Sequence, residues 1–214
     1  MKCILFDLDG TIQDSEKLAT EANRVGFRTI LGREATDNEL EQLVGKPVAR
    51  VIVTMFPENG KQIFEKAVEH YDTYCHSIRC YDGVKEMMNA VKLSGFAMGI
   101  VSSKRRKYIL KELEANSIMN LFTCIIGQED TNDHKPNAAP LLMAAKQMEF
   151  LPEQCLYIGD QPTDILAAKA AGMKSAAALW GEGKKERLSS VSPDYFFETP
   201  HFLLDFIENG YHLK

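Results

Sequence analysis

The chain has 214 residues, of which 45% are hydrophobic and 26% charged, so it can bury a substantial core in one or two globular domains. Its net charge of −5 at pH 7 argues against non-specific binding of nucleic acid. No apolar run approaches the ~20 residues of a membrane-spanning helix, so we expect no interaction with a membrane.

The first predicted element is a buried parallel strand over Cys3–Phe6, an apolar run that stops at two acidic residues. Because side chains alternate along a strand, Asp7 and Asp9 are expected on the same side, and Gly10 lets the chain turn. Neighbouring carboxylates repel each other unless a cation lies between them or each has a separate task. By itself, the pattern also fits a polar turn or a helix cap.

The region from residue 15 to residue 80 contains no strand-like run and predicts an all-helical insert. The helices are expected over residues 18–31, 37–44, 48–55 and 61–77. In the second of them the apolar positions recur at helical spacing. We therefore predict a helical domain over residues 15–80, inserted into a core made of residues 1–14 and 81–214.

Strands and helices alternate after residue 83. The helices are predicted over residues 84–93, 108–115, 138–148, 163–171 and from 201 onwards; the strands are predicted over 96–101, 123–127, 154–158, 174–179 and 195–197. Such alternation predicts an α/β fold, a Rossmann-like doubly wound parallel sheet with right-handed crossovers. The basic run over residues 184–187 is expected in a loop, with no role in a site.

The predicted core strands are followed by polar residues. Ser102 and Ser103 follow the second strand, Lys135 lies in the loop after the third, and Asp160 and Asp164 follow the fourth. In doubly wound sheets, ligands bind outside the carboxyl ends of the strands. We therefore expect these side chains and the two acids after the first strand to form one site.

Four motifs, in this order, resemble those of the haloacid dehalogenase-like hydrolases: Asp7-Leu8-Asp9-Gly10-Thr11, Val101-Ser102-Ser103-Lys104, Lys135-Pro136, and Gly159-Asp160 through Asp164. The resemblance covers nearly the whole chain. It is greatest to the phosphoglycolate-phosphatase-like and beta-phosphoglucomutase-like branch, which carries a small helical cap between the first two motifs. It implies a phosphatase that hydrolyses small phosphomonoesters, with a cap over residues 15–80.

The resemblance implies a role for each acid. Asp7 would be the nucleophile that forms an aspartyl-phosphate, and Asp9 would be the general acid and base. Mg²⁺ would bind Asp7, the backbone carbonyl of Asp9 and Asp160. Asp164 would bind the ion directly, or hold a metal-bound water or Lys135 instead. As an acid in the first turn of a helix, Asp164 would also be favoured by the helix dipole.

The other motif residues would bind the phosphoryl group. Ser102 would offer its hydroxyl and its backbone amide, the amide of Ser103 would join them, and Lys135 would offset negative charge. A serine pair after a strand is also a common helix cap, and a lysine in a loop is usually solvated. Pro136 is expected at the first position of the next helix, which would hold the backbone of Lys135.

Three further features have more than one interpretation. In the cap, Lys46 and Arg50 are candidates for substrate specificity. The basic run over residues 104–107 is either a solvated turn or a cluster that attracts an anionic substrate. Gln13 stands where the family usually has an apolar residue, and it would either contact the substrate or be exposed.

Two other functions compete with a phosphatase. A sugar-phosphate mutase of the same branch is the first, but such mutases tend to carry Val in place of Thr11 and an acid in place of Gly159. The second is a catalytically inactive binding or regulatory module, which does not require the retained Asp7, Asp9 and Lys135. Dehalogenation is a poor fit, because that reaction needs neither a metal nor a second aspartate. We expect a small phosphorylated metabolite as substrate, and a monomer or small homo-oligomer.

The cysteine pattern bears on the compartment. The chain has five scattered cysteines: Cys3, Cys75, Cys80, Cys124 and Cys155. Their spacing along the sequence fits neither a zinc site nor a disulfide framework. The sequence begins with a predicted strand rather than a basic segment and a cleavage site. We therefore expect reduced thiols, no signal peptide and a cytoplasmic location.

Overall fold

The computed structural model describes residues 1–43 and 48–210. The chain divides into two compact units. The core unit consists of Met1–Asp14 and Arg79–Lys214, and the helical unit consists of Ser15–Ile78. Within the described residues, no helix is both long and apolar enough to cross a membrane.

The core unit is built on a parallel sheet. Its strands are β1 (Cys3–Phe6), β2 (Ala97–Val101), β3 (Cys124–Ile126), β4 (Cys155–Gly159), β5 (Lys174–Ala178) and β6 (Tyr195–Phe197). They lie in the order β3-β2-β1-β4-β5-β6, and every neighbouring pair is parallel. This order confirms the predicted doubly wound α/β fold. The order reverses between β1 and β4, which is where such sheets bind ligands.

The helices of the core unit follow the predicted alternation. They are α5 (Val84–Leu93), α6 (Arg106–Ala115), α7 (Ala139–Gln147), α8 (Pro162–Ala170), α9 (Lys185–Ser189) and α10 (Pro200–Glu208). Two expectations were wrong. The basic run over residues 184–187 lies at the start of α9 rather than in a loop. Pro136 precedes α7 instead of opening it, and the Lys135–Pro136 peptide bond is cis.

Both faces of the sheet are covered, which explains why β1 is apolar at every position. Ile4 and Phe6 pack with buried side chains of α5, α6 and α10 on one face. Cys3 and Leu5 pack with those of α7 and α8 on the other. Burial on both faces fixes the sheet and leaves the strand ends as the place where polar side chains can meet.

The helical unit contains α1 (Glu16–Leu31), α2 (Asp37–Glu41), α3 (Val48–Met55) and α4 (Gly60–Tyr74), followed by a 3₁₀ turn over Cys75–Ser77. Its core includes Phe27, Ile52 and Ile63. Helices α1 and α4 pack closely at Gly26, where a Cβ atom would lie 2.4 Å from the carbonyl oxygen of Ile63. Within residues 15–43 and 48–78 no strand is present, in agreement with the helical pattern of the sequence.

The chain leaves the core unit and returns to it at one point. The amide of Asp14 donates to the carbonyl oxygen of Arg79 at 3.0 Å. Next to this bond, Gln13 and Cys80 form an isolated antiparallel bridge. The two connections to the helical unit therefore begin from adjacent, hydrogen-bonded backbone segments.

Candidate active site

The end of β1 carries two acids in different environments. Asp7 directly follows the strand, and its amide donates to the carbonyl oxygen of Ile158 at 2.9 Å, which extends the pairing with β4. Its side chain is buried, whereas the side chain of Asp9 is 36% exposed. Each carboxylate has a lysine of its own: Lys135 lies 3.0 Å from Asp7, and Lys104 lies 2.7 Å from Asp9.

Asp7, Asp160 and Asp164 form one buried cluster, in which one carboxylate oxygen of each lies within 4.8 Å of the others. Asp160 follows β4, and Asp164 lies in the first turn of α8. The turn after β1 comes close to Asp160, since a Cβ atom on Gly10 would lie 2.5 Å from Asp160 Oδ2. Gly10 also has a φ of +76°, a value that favours glycine.

Lys135 is the cation of this cluster. Its Nζ donates to Asp164 Oδ1 at 2.6 Å and to the hydroxyl of Tyr157 at 3.0 Å. Tyr157 is fully buried and donates in turn to the carbonyl oxygen of Val101 at 2.8 Å. The second oxygen of Asp164 accepts the amide of Gln161 at 2.9 Å. Asp164 therefore both caps α8 and holds Lys135.

The cluster carries more negative than positive charge. Three acids and one lysine leave an excess of two negative charges when all are ionised. Burial raises the pKa of Asp7 to about 7, against the effect of Lys135, and the charges of Asp164 and Asp9 act in the same direction as burial. Burial also raises the pKa of Asp160, together with the charges of Asp164 and Asp7.

The residues of the cluster fit a hard divalent cation. Asp7 Oδ1 is buried and accepts no hydrogen bond from the described residues, although Lys135 Nζ lies nearby. Such an atom is normally paired or bound to an ion. Carboxylate oxygens are the ligands that Mg²⁺ and Ca²⁺ prefer, and a divalent cation would balance the excess charge. The cluster could therefore hold a metal ion.

The predicted phosphate-binding serines lie at the end of β2. The amide of Ser102 donates to the carbonyl oxygen of Ile126 at 3.0 Å, so the expectation that this amide serves a ligand was wrong. The buried Ser102 hydroxyl accepts the amide of Lys104 at 3.2 Å and keeps its own proton to donate. Ser103 is exposed. A small pocket is lined by both serines and by Lys135, among others.

Asp9 is bound by a network that the sequence did not reveal. Lys104 Nζ, which lies 2.7 Å from Asp9 Oδ1, also lies 2.6 Å from Glu112 Oε2. Gln13 Nε2 donates to Asp9 Oδ1 at 3.2 Å and to Glu112. Gln13 is fully buried, so the alternative that it is exposed was wrong, and Lys104 is not the solvated residue of a basic turn.

Tyr157 and Glu112 were not predicted as residues of the site, and only Glu112 left a signal in the sequence. Tyr157 lies in an apolar strand, where a tyrosine is unremarkable. Glu112, however, interrupts the apolar stripe of α6, because it lies between the buried Ile109 and Leu113 on the same face. A carboxylate at such a position predicts a buried partner.

The two cap candidates belong to the helical unit. Arg50 is exposed on α3, where its carbonyl oxygen accepts the hydroxyl of Thr54. Lys46 lies outside the described residues. The proposed role of these two residues in specificity stays a prediction.

Comparison with known proteins identifies relatives of this chain. The family model described as haloacid dehalogenase-like hydrolase matches residues 4–178. A phosphoglycolate phosphatase from Colwellia psychrerythraea is 33% identical over 216 residues, covering 94% of each chain. A pyrophosphatase PpaX from Anoxybacillus flavithermus is 28% identical over 209 residues, covering 95% of each.

The solved structures agree on the fold. The crystal structure of a predicted phosphoglycolate phosphatase from Haemophilus somnus superposes with a TM-score of 0.86, at 24% sequence identity. The match covers 97% of this chain and 98% of that one. The doubly wound sheet with its helical insert is therefore a fold found in known structures.

Proposed function

The chain belongs to the haloacid dehalogenase-like hydrolases, and we propose that it hydrolyses small phosphomonoesters through a covalent intermediate on Asp7. The protein is a phosphatase of this family, as its motifs predicted. The observation that carries the proposal is the buried Asp7, whose Oδ1 lies 3.0 Å from Lys135 Nζ and accepts no hydrogen bond within the described part of the chain. A carboxylate held beside a cation can approach an anionic phosphoryl group.

The proposed reaction has two steps. In the first, a carboxylate oxygen of Asp7 forms a bond to phosphorus while the bond from phosphorus to the ester oxygen breaks. A protonated Asp9 gives its proton to that leaving oxygen. In the second, Asp9 takes a proton from water, whose oxygen bonds to phosphorus as the bond to Asp7 breaks. The products are an alcohol and inorganic phosphate, and both aspartates return to their starting states.

Three groups would bind the phosphoryl group in this scheme and offset its negative charge. Lys135 offsets the negative charge of Asp7 and of the phosphoryl oxygens, and Asp164 and Tyr157 keep it in place. Ser102 is proposed to donate its hydroxyl proton to a phosphoryl oxygen. Ser103, which is exposed next to it, would add its amide.

We propose Mg²⁺ as the cofactor. Asp7 and Asp160 would hold it, with the backbone carbonyl of Asp9, while Asp164 lies in the same cluster and holds Lys135. When bound, the ion supplies positive charge that draws electrons from the phosphoryl group.

The helical unit is proposed to act as the cap that selects the substrate. A small phosphorylated metabolite is the substrate class that the relatives support; phosphoglycolate and pyrophosphate are named for two of them.

Thr11 and Gly159 favour a phosphatase over a mutase. Thr11 donates to Asp160 at 3.2 Å, and a Cβ atom on Gly159 would lie 2.5 Å or less from Asp164. An acidic residue could not replace Gly159 without moving Asp164.

A phosphate-release screen tests the function. The substrates are 4-nitrophenyl phosphate, 2-phosphoglycolate, pyrophosphate, glucose phosphates and nucleoside monophosphates, each with Mg²⁺ and with a chelator. We expect Mg²⁺-dependent release from at least one monoester. Full activity after complete chelation would contradict the metal role, and transfer of phosphate between sugar carbons without release would establish the mutase.

The covalent step has a separate test. Quenched turnover mixtures are reduced with borohydride, which converts an aspartyl-phosphate to homoserine, and the peptide containing residue 7 is analysed by mass spectrometry. We expect homoserine at position 7 in the wild type and none in Asp7→Asn. Wild-type turnover in Asp7→Asn would rule out the covalent mechanism.

A further inference from the structure

Glu112 is a buried charge that the proposed reaction does not use. It lies on the apolar face of α6 and is fully buried, next to Ile109 and Leu113. Removing a carboxylate from water is strongly unfavourable unless it is well paired. An apolar side chain would pack on this face without that cost, so packing alone does not explain an acid at this position.

The partners of Glu112 lead to Asp9. Lys104 bridges the two acids, at 2.6 Å from Glu112 Oε2 and 2.7 Å from Asp9 Oδ1. Gln13 makes a second bridge, because its Nε2 donates to the same oxygen of Glu112 and, at 3.2 Å, to the same oxygen of Asp9. Two donors from different parts of the chain thus converge on Asp9 Oδ1, and one buried acid holds both donors.

We propose that Glu112 is a positioning residue for the acid–base chemistry: it holds Lys104 and Gln13, which together fix the orientation of the Asp9 carboxylate. This rests on the proposed function, in which Asp9 protonates the leaving oxygen. A carboxylate on a partly exposed turn can rotate, and proton transfer needs it within hydrogen-bond reach of the ester oxygen. Two donors bound to one oxygen restrict that rotation.

A network that served folding alone would predict a different result. Loss of Glu112 would then lower stability and the amount of active enzyme, equally for every substrate. Loss of Asp9 orientation instead affects only substrates whose leaving oxygen needs a proton. The distinguishing measurement is therefore a ratio between two substrates, which is independent of the concentration of active enzyme.

The test uses phenyl phosphate and 4-nitrophenyl phosphate, which share a ring and differ in the basicity of the leaving oxygen. Phenolate needs protonation far more than nitrophenolate does. The value of kcat/KM reports the steps up to cleavage of the ester bond, so it isolates proton donation by Asp9. For Glu112→Gln and Lys104→Met, we expect kcat/KM to fall about tenfold more for phenyl phosphate than for 4-nitrophenyl phosphate, which is part of the roughly 10²–10⁴-fold that general acid–base catalysis supplies.

Controls separate the inference from the proposed function. Asp9→Asn should shift the ratio in the same direction, and Glu112→Gln should add no further shift in that background. The matched variant Glu114→Gln, at an exposed position of the same helix, should leave the ratio unchanged.

Each outcome is informative. An unchanged ratio in both Glu112→Gln and Lys104→Met would overturn the positioning role, while Asp9→Asn still supports the proposed chemistry. A ratio that shifts equally with and without Asp9 would also overturn it. If Asp9→Asn leaves the ratio unchanged, the acid role of Asp9 fails and the inference fails with it.

Discussion

Lys135 donates to the hydroxyl of Tyr157 at 3.0 Å, so the cation of the acidic cluster is held by a strand of the sheet itself. Tyr157 is fully buried in β4, and its own proton is directed to the carbonyl oxygen of Val101 in β2. Strand β1, which precedes Asp7, lies between these two strands. The phenol thus fixes the lysine relative to the strand that carries the proposed nucleophile.

Replacing Tyr157 by Phe tests this relationship. The change removes one acceptor of Lys135 and leaves the carbonyl oxygen of Val101 without that donor. We expect kcat/KM for 4-nitrophenyl phosphate to fall about tenfold, as for other residues that orient catalytic groups, and the free energy of unfolding to fall by about 1–2 kcal/mol. Urea unfolding and steady-state kinetics measure the two effects.

The matched control for this variant is Tyr195→Phe, on the edge strand β6, which should retain wild-type kinetics. If Tyr157→Phe keeps kcat/KM within a factor of two of the wild type, the hydroxyl does not position Lys135 for the reaction.

Asp160→Asn should separate stability from metal binding. In the metal-free protein, we expect the variant to be more stable than the wild type by about 1 kcal/mol, because it removes one of three crowded buried carboxylates. Added Mg²⁺ should raise the melting temperature of the wild type, because an ion that binds only the folded state stabilises that state. At an ion concentration of 100 times the Kd, the free energy of unfolding would rise by about 2.7 kcal/mol. The variant should show little of this shift.

Thermal unfolding with and without Mg²⁺ provides the measurement, and it does not depend on activity. Asp133→Asn is the control, because Asp133 is exposed in the loop before Lys135 and should retain the full shift. An equal Mg²⁺ shift in wild type and Asp160→Asn would remove Asp160 from the proposed metal site.

The fold was predictable because its signals are local. Apolar runs, helical spacing and strand–helix alternation gave every strand of the sheet within about two residues, and helix α3 at its observed bounds. The motif acids could also be predicted to meet, since the carboxyl ends of parallel strands share an edge. The contact of Asp164 with Lys135 was one of the alternatives that the sequence offered. The pairing of Lys104 with Asp9 and Glu112 could not be predicted, because it arises only from the packing of α6.

Glu39 predicts a pH dependence in the helical unit. Two nitrogens of Arg33 bind its carboxylate at 2.7 and 2.9 Å and, with Thr36, lower the pKa of Glu39 to about 2. Because the folded pKa lies below the ordinary value of 4.5, the stabilisation is complete above pH 4.5 and is lost as the pH falls towards 2.

We therefore expect Glu39→Gln to cost about 1 kcal/mol of unfolding free energy at pH 7, a value limited by the partial exposure of the ion pair. The difference from wild type should shrink steadily between pH 4.5 and pH 3. Urea unfolding across this range measures it. Glu41→Gln, at an exposed position of the same helix, should match the wild type at each pH. A cost that does not change with pH would contradict the ion-pair explanation.

Gly26→Ala should destabilise the helical unit despite the better helix propensity of alanine. The added Cβ would lie 2.4 Å from the carbonyl oxygen of Ile63, so α1 and α4 would have to separate. We expect a loss of about 1–3 kcal/mol, the usual cost of overpacking, against a gain of about 1 kcal/mol in propensity. Thr29→Ala, at an exposed position of α1, should instead be neutral or slightly stabilising in the same unfolding assay.

The hydrogen bond between Asp14 and Arg79 has a consequence for how such proteins change over evolutionary time. Since both ends of the insert start from neighbouring backbone, a gene can lengthen, shorten or exchange the whole intervening segment without disturbing the strands that carry the chemistry. Under the proposed role of the helical unit, new specificities would then arise through replacement of one module, while the reaction itself is inherited intact.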